Sequence, residues 1–195
     1  METALRTFKR KDGAVATVYQ DTDCEGPRDW DNIGTLKTWH NRYNWSDKDA
    51  PNIDAEDFAA WAKENRVIVS LPVFLYDHSG LSMSCGSFGD PWDSGQLGFI
   101  FVTEERAQKE LSKKRITSKD KERLAAMLKG EIEAMDQYVS GDVYYIRVTG
   151  PQETCAHCGH SKSEDQDSIG GVYGDDGVME YIRQEFAEDA EEVTV

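Results

Sequence analysis

The sequence predicts an α+β fold, in which a mostly antiparallel sheet of about four to five strands packs with three to four helices. Apolar, β-rich runs at residues 67–76, 97–102 and 143–148 predict strands. Apolar residues that recur every three or four positions between residues 118 and 141 predict a long helix. Some of the strands are joined by short polar segments, which suit antiparallel neighbours better than parallel ones.

The first half of the chain begins with a predicted strand at residues 14–20, followed by a segment rich in Gly, Pro, Asp and Asn that favours an ordered loop. Asp54 is a candidate N-cap for a helix that reaches about residue 65, with Phe58 and Trp61 on its apolar face. The strand at 67–76 contains Pro72, which lacks a backbone donor. We therefore expect an edge strand or a bulged one.

In the second half, Leu81, Met83 and Cys85 alternate with serines and predict a short half-buried strand. Residues 97–102 are apolar throughout and predict a central strand. Thr103 is a candidate cap for a helix over residues 104–114. A second helix begins at Ser118 and stops at Gly141, and the strand at 143–148 follows.

The length of 195 residues predicts a single domain. Residues 150–174 lose periodicity and are rich in Ser, Gly, Asp and Glu, so we expect an irregular acidic excursion there. A last helix is predicted to begin at Asp175 or Asp176. The residues after it predict a frayed acidic tail.

The net charge of −15 is distributed unevenly, since residues 151–195 carry 12 acids against two bases. This charge disfavours direct binding to nucleic acid and favours binding to a basic site on a partner protein. No run of apolar residues approaches the roughly 20 that span a bilayer, and we expect a cytoplasmic protein with no membrane contact. The acids expected to bind the partner are Asp21, Asp23, Asp29, Glu164, Asp165, Asp167, Asp175 and Asp176.

The loop after the first strand holds five carboxylates, at Asp21, Asp23, Glu25, Asp29 and Asp31. Oxygen ligands at such short spacing suit a hard cation such as Ca²⁺ or Mg²⁺. Acids that cap the backbone donors of a turn are the alternative interpretation.

The polar insert between the strands at 67–76 and 97–102 holds Asp77, His78 and Asp93. A histidine oriented by a carboxylate can act as a general base, and the serines of this insert or Cys85 would be nucleophiles. The alternative function is therefore a small, metal-assisted enzyme whose catalytic residues are Asp31, Asp77, His78 and Asp93. A histidine that hydrogen-bonds within its own turn is the structural alternative.

The sequence TCAHCGH places Cys155, Cys158 and His160 at a spacing that suits zinc. There is no second C-x-x-C, so a fourth ligand would come from His157, Cys24 or Cys85. A loop with reduced thiols is the alternative interpretation.

Several segments together resemble a family of small acidic proteins encoded by phages and integrated mobile elements. They are DTDCEGPRDWDNIGT, WHNRYNW, LPVFLYDHSG, PWDSGQLGFIFV, MDQYVSGDVY and DSIGGVYGDD. The resemblance covers about residues 19–181, and TCAHCGH departs from the family pattern. It implies no particular enzymatic activity. Together with the acidity, it leads to the hypothesis that the protein antagonises a host defence complex, in the manner of anti-CRISPR or antirestriction proteins, inside the host cytoplasm.

Overall fold

The computed structural model describes residues 3–193, and its chain forms two compact units. The terminal unit comprises Met1–Glu25 and Gly141–Val195, and the middle unit comprises Gly26–Ser140. Helices are combined with antiparallel sheets, so the predicted α+β class is confirmed. The expectation of a single domain stays a prediction.

The strands, in chain order, are β1 (Arg6–Lys9), β2 (Val15–Gln20), β3 (Thr35–Thr38), β4 (Val67–Asp77), β5 (Leu81–Ser84), β6 (Ser94–Thr103), β7 (Val143–Thr149), β8 (Glu153–Thr154), β9 (Ser161–Lys162), β10 (Asp165–Tyr173) and β11 (Glu191–Val193). The helices are α1 (Phe58–Glu64), α2 (Glu104–Glu110), α3 (Ser118–Ser140) and α4 (Gly174–Tyr181), and a π-helical turn, Ile182–Phe186, continues α4.

The terminal unit is built on a five-stranded sheet with the order β10-β7-β2-β1-β11, all antiparallel. Alternate residues of its central strands, such as Val18 and Ile146, are fully buried. They pack against Val178 of α4 and against Ile182 and Phe186 of the π-helical turn. The paired hairpin of β8 and β9 forms a separate small sheet in this unit.

The middle unit is built on a four-stranded sheet with the order β3-β6-β4-β5. The predicted long helix is confirmed as α3, whose Leu128 and Ile132 are buried against Val73 of β4 and Ile100 of β6. Gly141 follows α3 with φ +78°, a conformation that suits glycine at a helix end.

Pro72 lies in β4, which pairs with β6 along most of its length but with β5 only at residues 74–77. At Pro72 the strand therefore has a neighbour on one side, and a bulge follows between Val73 and Phe74. The expectation of an edge strand is wrong for β4, which lies between β6 and β5, but the alternative, a bulged strand, is confirmed.

Other boundaries differ from those predicted. α2 ends at Glu110, and Ser112 turns the chain with φ +52°. The excursion predicted to be irregular contains β8, β9 and β10, and the segment predicted to fray forms β11, which pairs with β1. The main chain of β10 pairs with β7, but seven of its nine residues are exposed. This strand therefore has no alternating apolar pattern that the sequence analysis could detect.

Candidate functional site

Three of the four predicted catalytic residues lie together in the middle unit, at one end of β4 and β6. His78 Nδ1 is 3.1 Å from a carboxylate oxygen of Asp93, and the backbone N–H of Asp77 donates to the carbonyl of Asp93 at 2.9 Å. Asp31 is not part of this group, since it lines a separate cleft with Arg28 and Arg106.

Strand register and turn geometry explain why these residues meet. Tyr76 of β4 pairs with Ser94 of β6, so the residues beyond this pair face each other across the end of the sheet. The backbone N–H groups of Trp92 and Asp93 donate to the carboxylate of Asp90. These hydrogen bonds lower the pKa of Asp90, and they fix the loop that carries Asp93.

A shallow cleft of about 280 Å³ adjoins the pair and is lined by Asp77, Asp93 and Trp92, among others. The side chain of His78 is 60% exposed and that of Asp93 is 36% exposed, so water reaches both. The hydroxyl of Ser94 donates to the carbonyl of Asp90. The arrangement can hold an oriented imidazole, but it does not direct a hydroxyl nucleophile at that imidazole.

The other predicted nucleophiles lie near a second cleft, of about 480 Å³, lined by residues of β5 and α3. Ser82 donates to Asp136 of α3 at 2.8 Å. Cys85 is half-buried, and burial raises the pKa of its thiol. A raised pKa disfavours the thiolate and makes this cysteine a poor nucleophile near neutral pH.

An aromatic stack lies in the segment 40–45, which forms neither a helix nor a strand. The rings of His40 and Tyr43 stack at 5.1 Å, and those of Tyr43 and Trp45 stack at 4.7 Å. The hydroxyl of Tyr43 donates to Asp77 at 3.2 Å, and Arg42 pairs with the same carboxylate at 2.9 Å. Tyr43 of the stack and the neighbouring Arg42 thus hold the carboxylate of Asp77 in place, the first by a hydrogen bond and the second by an ion pair. The aromatic residues of WHNRYNW were the only sequence signal for it.

The acids predicted to bind a partner lie mainly in the terminal unit, and only Asp29 lies in the middle unit. The terminal unit contains 18 acidic and seven basic residues, a difference of −11 within the total of −15. The middle unit contains 19 acidic and 15 basic residues, a difference of −4. The negative charge is therefore concentrated in the terminal unit.

Several of these predicted acids already have partners within the chain. Ion pairs join Asp29 to Lys48, Glu164 to Lys162, Asp165 to Arg147 and Asp175 to Arg6. Three other exposed acids of this set, Asp23, Asp167 and Asp176, have no cation within 4 Å among residues 3–193.

Asp21 and Asp167 make hydrogen bonds instead. Asp21 accepts the backbone N–H groups of Asp23 at 3.1 Å and Gly171 at 2.8 Å, which ties the loop after β2 to β10. Asp167 accepts the hydroxyl of Tyr181 at 3.1 Å, and burial together with this contact raises the pKa of Tyr181 to about 12. The structure therefore gives Asp21 the capping role that was the alternative to cation binding.

Five of the seven basic residues in the terminal unit form ion pairs, with six of its acids. In the described part of this unit, eleven acids make no such pair. They are Asp21, Asp23, Glu25, Asp142, Glu153, Asp167, Asp176, Glu180, Glu185, Glu188 and Glu191.

Cys155 and Cys158 lie in the turn of the β8–β9 hairpin, and both are exposed. The backbone N–H groups of Cys158 and His157, with the thiol of Cys158, lower the pKa of Cys155. Cys24 and Cys85 are partly buried, and burial is the main reason for the raised pKa of each. Among residues 3–193, no three His, Cys, Asp or Glu side chains are grouped so as to hold a metal ion.

No helix within residues 3–193 is long and apolar enough to cross a membrane. Comparisons of the chain with protein-family models, with characterised proteins and with solved structures find no match.

Proposed function

We propose that this protein binds the basic, nucleic-acid-binding site of a partner protein through the acidic surface of its terminal unit, and so antagonises a host defence complex of the anti-CRISPR or antirestriction type. The observation that carries the proposal is the excess of eleven negative charges in the terminal unit. The resemblance to small acidic phage proteins gives the proposal its biological setting.

The physical reason is complementarity of charge. A site that binds nucleic acid is lined with lysine and arginine, and exposed carboxylates can take the positions of phosphates. Asp23, Asp176 and Glu180 are exposed and make no internal ion pair among the described residues. Their charges are thus available to a partner without the loss of an ion pair, and Glu180 would give up only the hydrogen bond that it accepts from the side-chain amide of Gln184.

The position of one acid also favours binding over folding as its role. Glu185 lies in the π-helical turn that continues α4, near the end of the helix, where the partial charge of the helix is negative. An acid there weakens the helix slightly, by about 0.3–1 kcal/mol. Its presence is more easily explained by an external cationic partner than by local stability.

The test is affinity capture from host lysate, with the bound protein identified and then purified. We expect a nucleic-acid-binding protein that is released by competing duplex DNA and by higher salt. Raising the salt from about 50 to about 500 mM should weaken binding roughly tenfold or more, because screening shortens the range of the charges.

A pair of matched variants separates the terminal unit from the middle unit. Asp23→Asn, Asp176→Asn and Glu180→Gln together remove three exposed charges from the terminal unit. Asp54→Asn, Glu56→Gln and Asp57→Asn remove three exposed charges from the middle unit. The first set should weaken capture strongly and the second little. Equal effects, or binding that is insensitive to salt and DNA, would contradict the proposal.

A small enzyme is the second candidate, and the contact of His78 with Asp93 favours it. In that case single alanine changes at Asp77, His78 or Asp93 should abolish turnover of a substrate while the protein stays folded. The separate location of Asp31 weakens this candidate, because the four residues were expected to share one pocket.

A further inference from the structure

Trp92 is almost uncovered by the rest of the chain, since 90% of it is exposed. It lies in the loop between β5 and β6, and its backbone N–H donates to Asp90 at 2.8 Å. Gly89, with φ +73°, turns the chain shortly before it. An indole on a loop that is already held in place offers a large contact area at a small entropic cost. Trp92 is therefore suited to contact a ligand.

Trp92 borders the shallow cleft of about 280 Å³ beside Asp93, and His40 also borders it. Nδ1 of His40 accepts the backbone N–H groups of Arg42 and Tyr43, both at 3.2 Å. The imidazole also stacks on the ring of Tyr43. Two aromatic groups therefore lie at the border of the cleft, and local hydrogen bonds hold the backbone of one and the ring of the other in place.

The polar lining of this cleft is rich in hydrogen-bond acceptors. The hydroxyl of Ser94 and the side-chain amide of Gln96 donate to backbone carbonyls of the chain. Asp77 and Asp93, by contrast, are acceptors only, and their side chains are 33% and 36% exposed. A ligand in the cleft would thus meet two accessible carboxylates.

Each of these carboxylates keeps one oxygen for an external donor. Oδ2 of Asp77 binds Arg42 at 2.9 Å, and Oδ2 of Asp93 lies 3.1 Å from Nδ1 of His78. The two Oδ1 atoms accept no hydrogen bond from the part of the chain that the structure describes. A ligand that carries positive charge and donates several hydrogen bonds would satisfy both oxygens.

A guanidinium group combines the properties that the rings and the carboxylates require. It is planar and always charged, it stacks on aromatic rings, and its N–H groups form a fork that matches a carboxylate. An anionic ligand would be repelled by the two carboxylates, and a purely apolar ligand would offer them no donor. We propose that this cleft binds the arginine side chain of a partner protein, with the guanidinium against Trp92 and its N–H groups directed at Asp77 and Asp93.

Charge also favours an arginine within a polypeptide over the free amino acid. Free arginine carries an α-carboxylate, which would approach an acidic cleft on a chain with a net charge of −15. In a polypeptide this carboxylate is part of a neutral peptide group. The cleft lies in the middle unit, so the inference does not depend on the proposed role of the acids in the terminal unit.

The experiment is an NMR titration of the full, ¹⁵N-labelled chain with a blocked glycine peptide that contains one arginine. The backbone amide signals of residues 94–97 report on the cleft in every variant. We expect saturable shifts with a dissociation constant of about 1 mM, as for a ligand with few contacting atoms.

Two control peptides test the chemistry of recognition. Lysine has the charge of arginine without its planar fork, and citrulline has a similar shape without the charge. Each control peptide should bind about tenfold more weakly than the arginine peptide. Equal binding of the lysine peptide would reveal only a general attraction of charge and would overturn the proposal. Equal binding of the citrulline peptide would overturn it as well.

Matched variants test the lining of the cleft. Trp92→Ala and Asp93→Asn should each weaken binding of the arginine peptide about tenfold, and Trp92→Phe should retain part of it because a ring remains. Phe88→Ala, in the same loop but outside the cleft, and Asp54→Asn, an exposed acid elsewhere in the middle unit, should bind as the unchanged protein does. Circular dichroism checks that every variant is folded. Equal losses in the two sets would contradict the assigned contacts.

The remaining outcomes separate this inference from the proposed function. Neutralising Asp23, Asp176 and Glu180 together should leave binding of the arginine peptide unchanged. Tighter binding of free L-arginine than of the peptide would identify a site for the free amino acid and would overturn the proposal of a protein partner. The absence of shifts at residues 94–97 would also overturn it, and it would leave the role proposed for the terminal unit unaffected.

Discussion

The guanidinium of Arg28 donates to a carboxylate oxygen of Glu131 at 2.8 Å, and this contact joins the loop between β2 and β3 to α3. Arg28 also donates to both carboxylate oxygens of Asp47, at 2.9 and 2.6 Å. The other oxygen of Glu131 accepts the backbone N–H groups of Ile33 and Gly34. The side chains of Arg28, Asp47 and Glu131 are only 10–12% exposed, so these charges are largely removed from water.

Replacing Arg28 by alanine should destabilise the protein severely. The change leaves the carboxylates of Asp47 and Glu131 poorly solvated and without their cation, which costs about 3–5 kcal/mol for a buried pair. Equilibrium unfolding in urea measures the loss. Lys48→Ala is the control, because Lys48 is 95% exposed and its pair with Asp29 should contribute less than about 1 kcal/mol. Similar losses in the two variants would contradict the role given to Arg28.

Adding a methyl group at Gly98 should prevent normal folding of the middle unit. A Cβ there would overlap the carbonyl oxygen of Lys37 in the neighbouring strand β3. Backbone cannot yield as a flexible side chain can, so we expect Gly98→Ala to cost about 3 kcal/mol or more. Gly95→Ala in the same strand is the control, since a Cβ there meets nothing within 4 Å. Thermal unfolding should show a large loss for the first variant and little change for the second.

The carboxylate of Asp120 should contribute to stability at neutral pH and lose that contribution in acid. Lys113 and the N–H and hydroxyl of Thr117 hydrogen-bond to it at the start of α3, and they hold its pKa well below the usual range. A lowered folded-state pKa stabilises the protein above the unfolded-state value of about 3.9, and this is lost as the pH falls from about 5.

Asp120→Asn should accordingly lower the melting temperature near neutral pH. As the pH falls, the melting temperature of this variant should decrease less steeply than that of the unchanged protein. Melting curves over a series of pH values measure both effects. Asp54→Asn provides the comparison, because Asp54 is exposed and its side chain makes no capping hydrogen bond. An acid decline of the same steepness in Asp120→Asn and the unchanged protein would show that another carboxylate is responsible.

The contact of His78 with Asp93 should be worth little to stability. Both side chains are exposed to water, and exposed pairs of this kind contribute about 0–1 kcal/mol. A double-mutant cycle with His78→Ala and Asp93→Ala measures the coupling. His78→Ala should also leave partner binding unchanged, unlike neutralisation of the terminal-unit acids. A coupling well above 1 kcal/mol would favour the enzyme over the binding protein.

The sequence was most informative where burial follows a helical period. Leu124, Leu128, Ile132 and Met135 of α3 are all buried, as their spacing predicts. β10 and β11 could not be predicted in this way, because they are held mainly by backbone pairing and their side chains are largely exposed. Neither the β-propensity of the residues nor an alternation of apolar and polar side chains predicts such strands.

The candidate site could also be predicted from the sequence only in part. The two predicted strands that flank the insert anticipated the meeting of Asp77, His78 and Asp93, since antiparallel pairing of β4 with β6 brings the ends of these strands together. The separation of Asp31 was not foreseeable from spacing, because its position depends on how the loop packs in the middle unit. Nor did spacing suggest that Asp136 would accept the backbone N–H of Met83, 53 residues away.

The two outermost strands of the five-stranded sheet both carry acids, Asp165 and Asp167 in β10 and Glu191 and Glu192 in β11. An uncovered edge can recruit the strand of another molecule and so begin a fibre. Like charges along both edges oppose such polymerisation near neutral pH. Acidification toward the isoelectric point of about 4.6 would remove this protection, so the same acids that suit a basic partner also keep identical sheets apart.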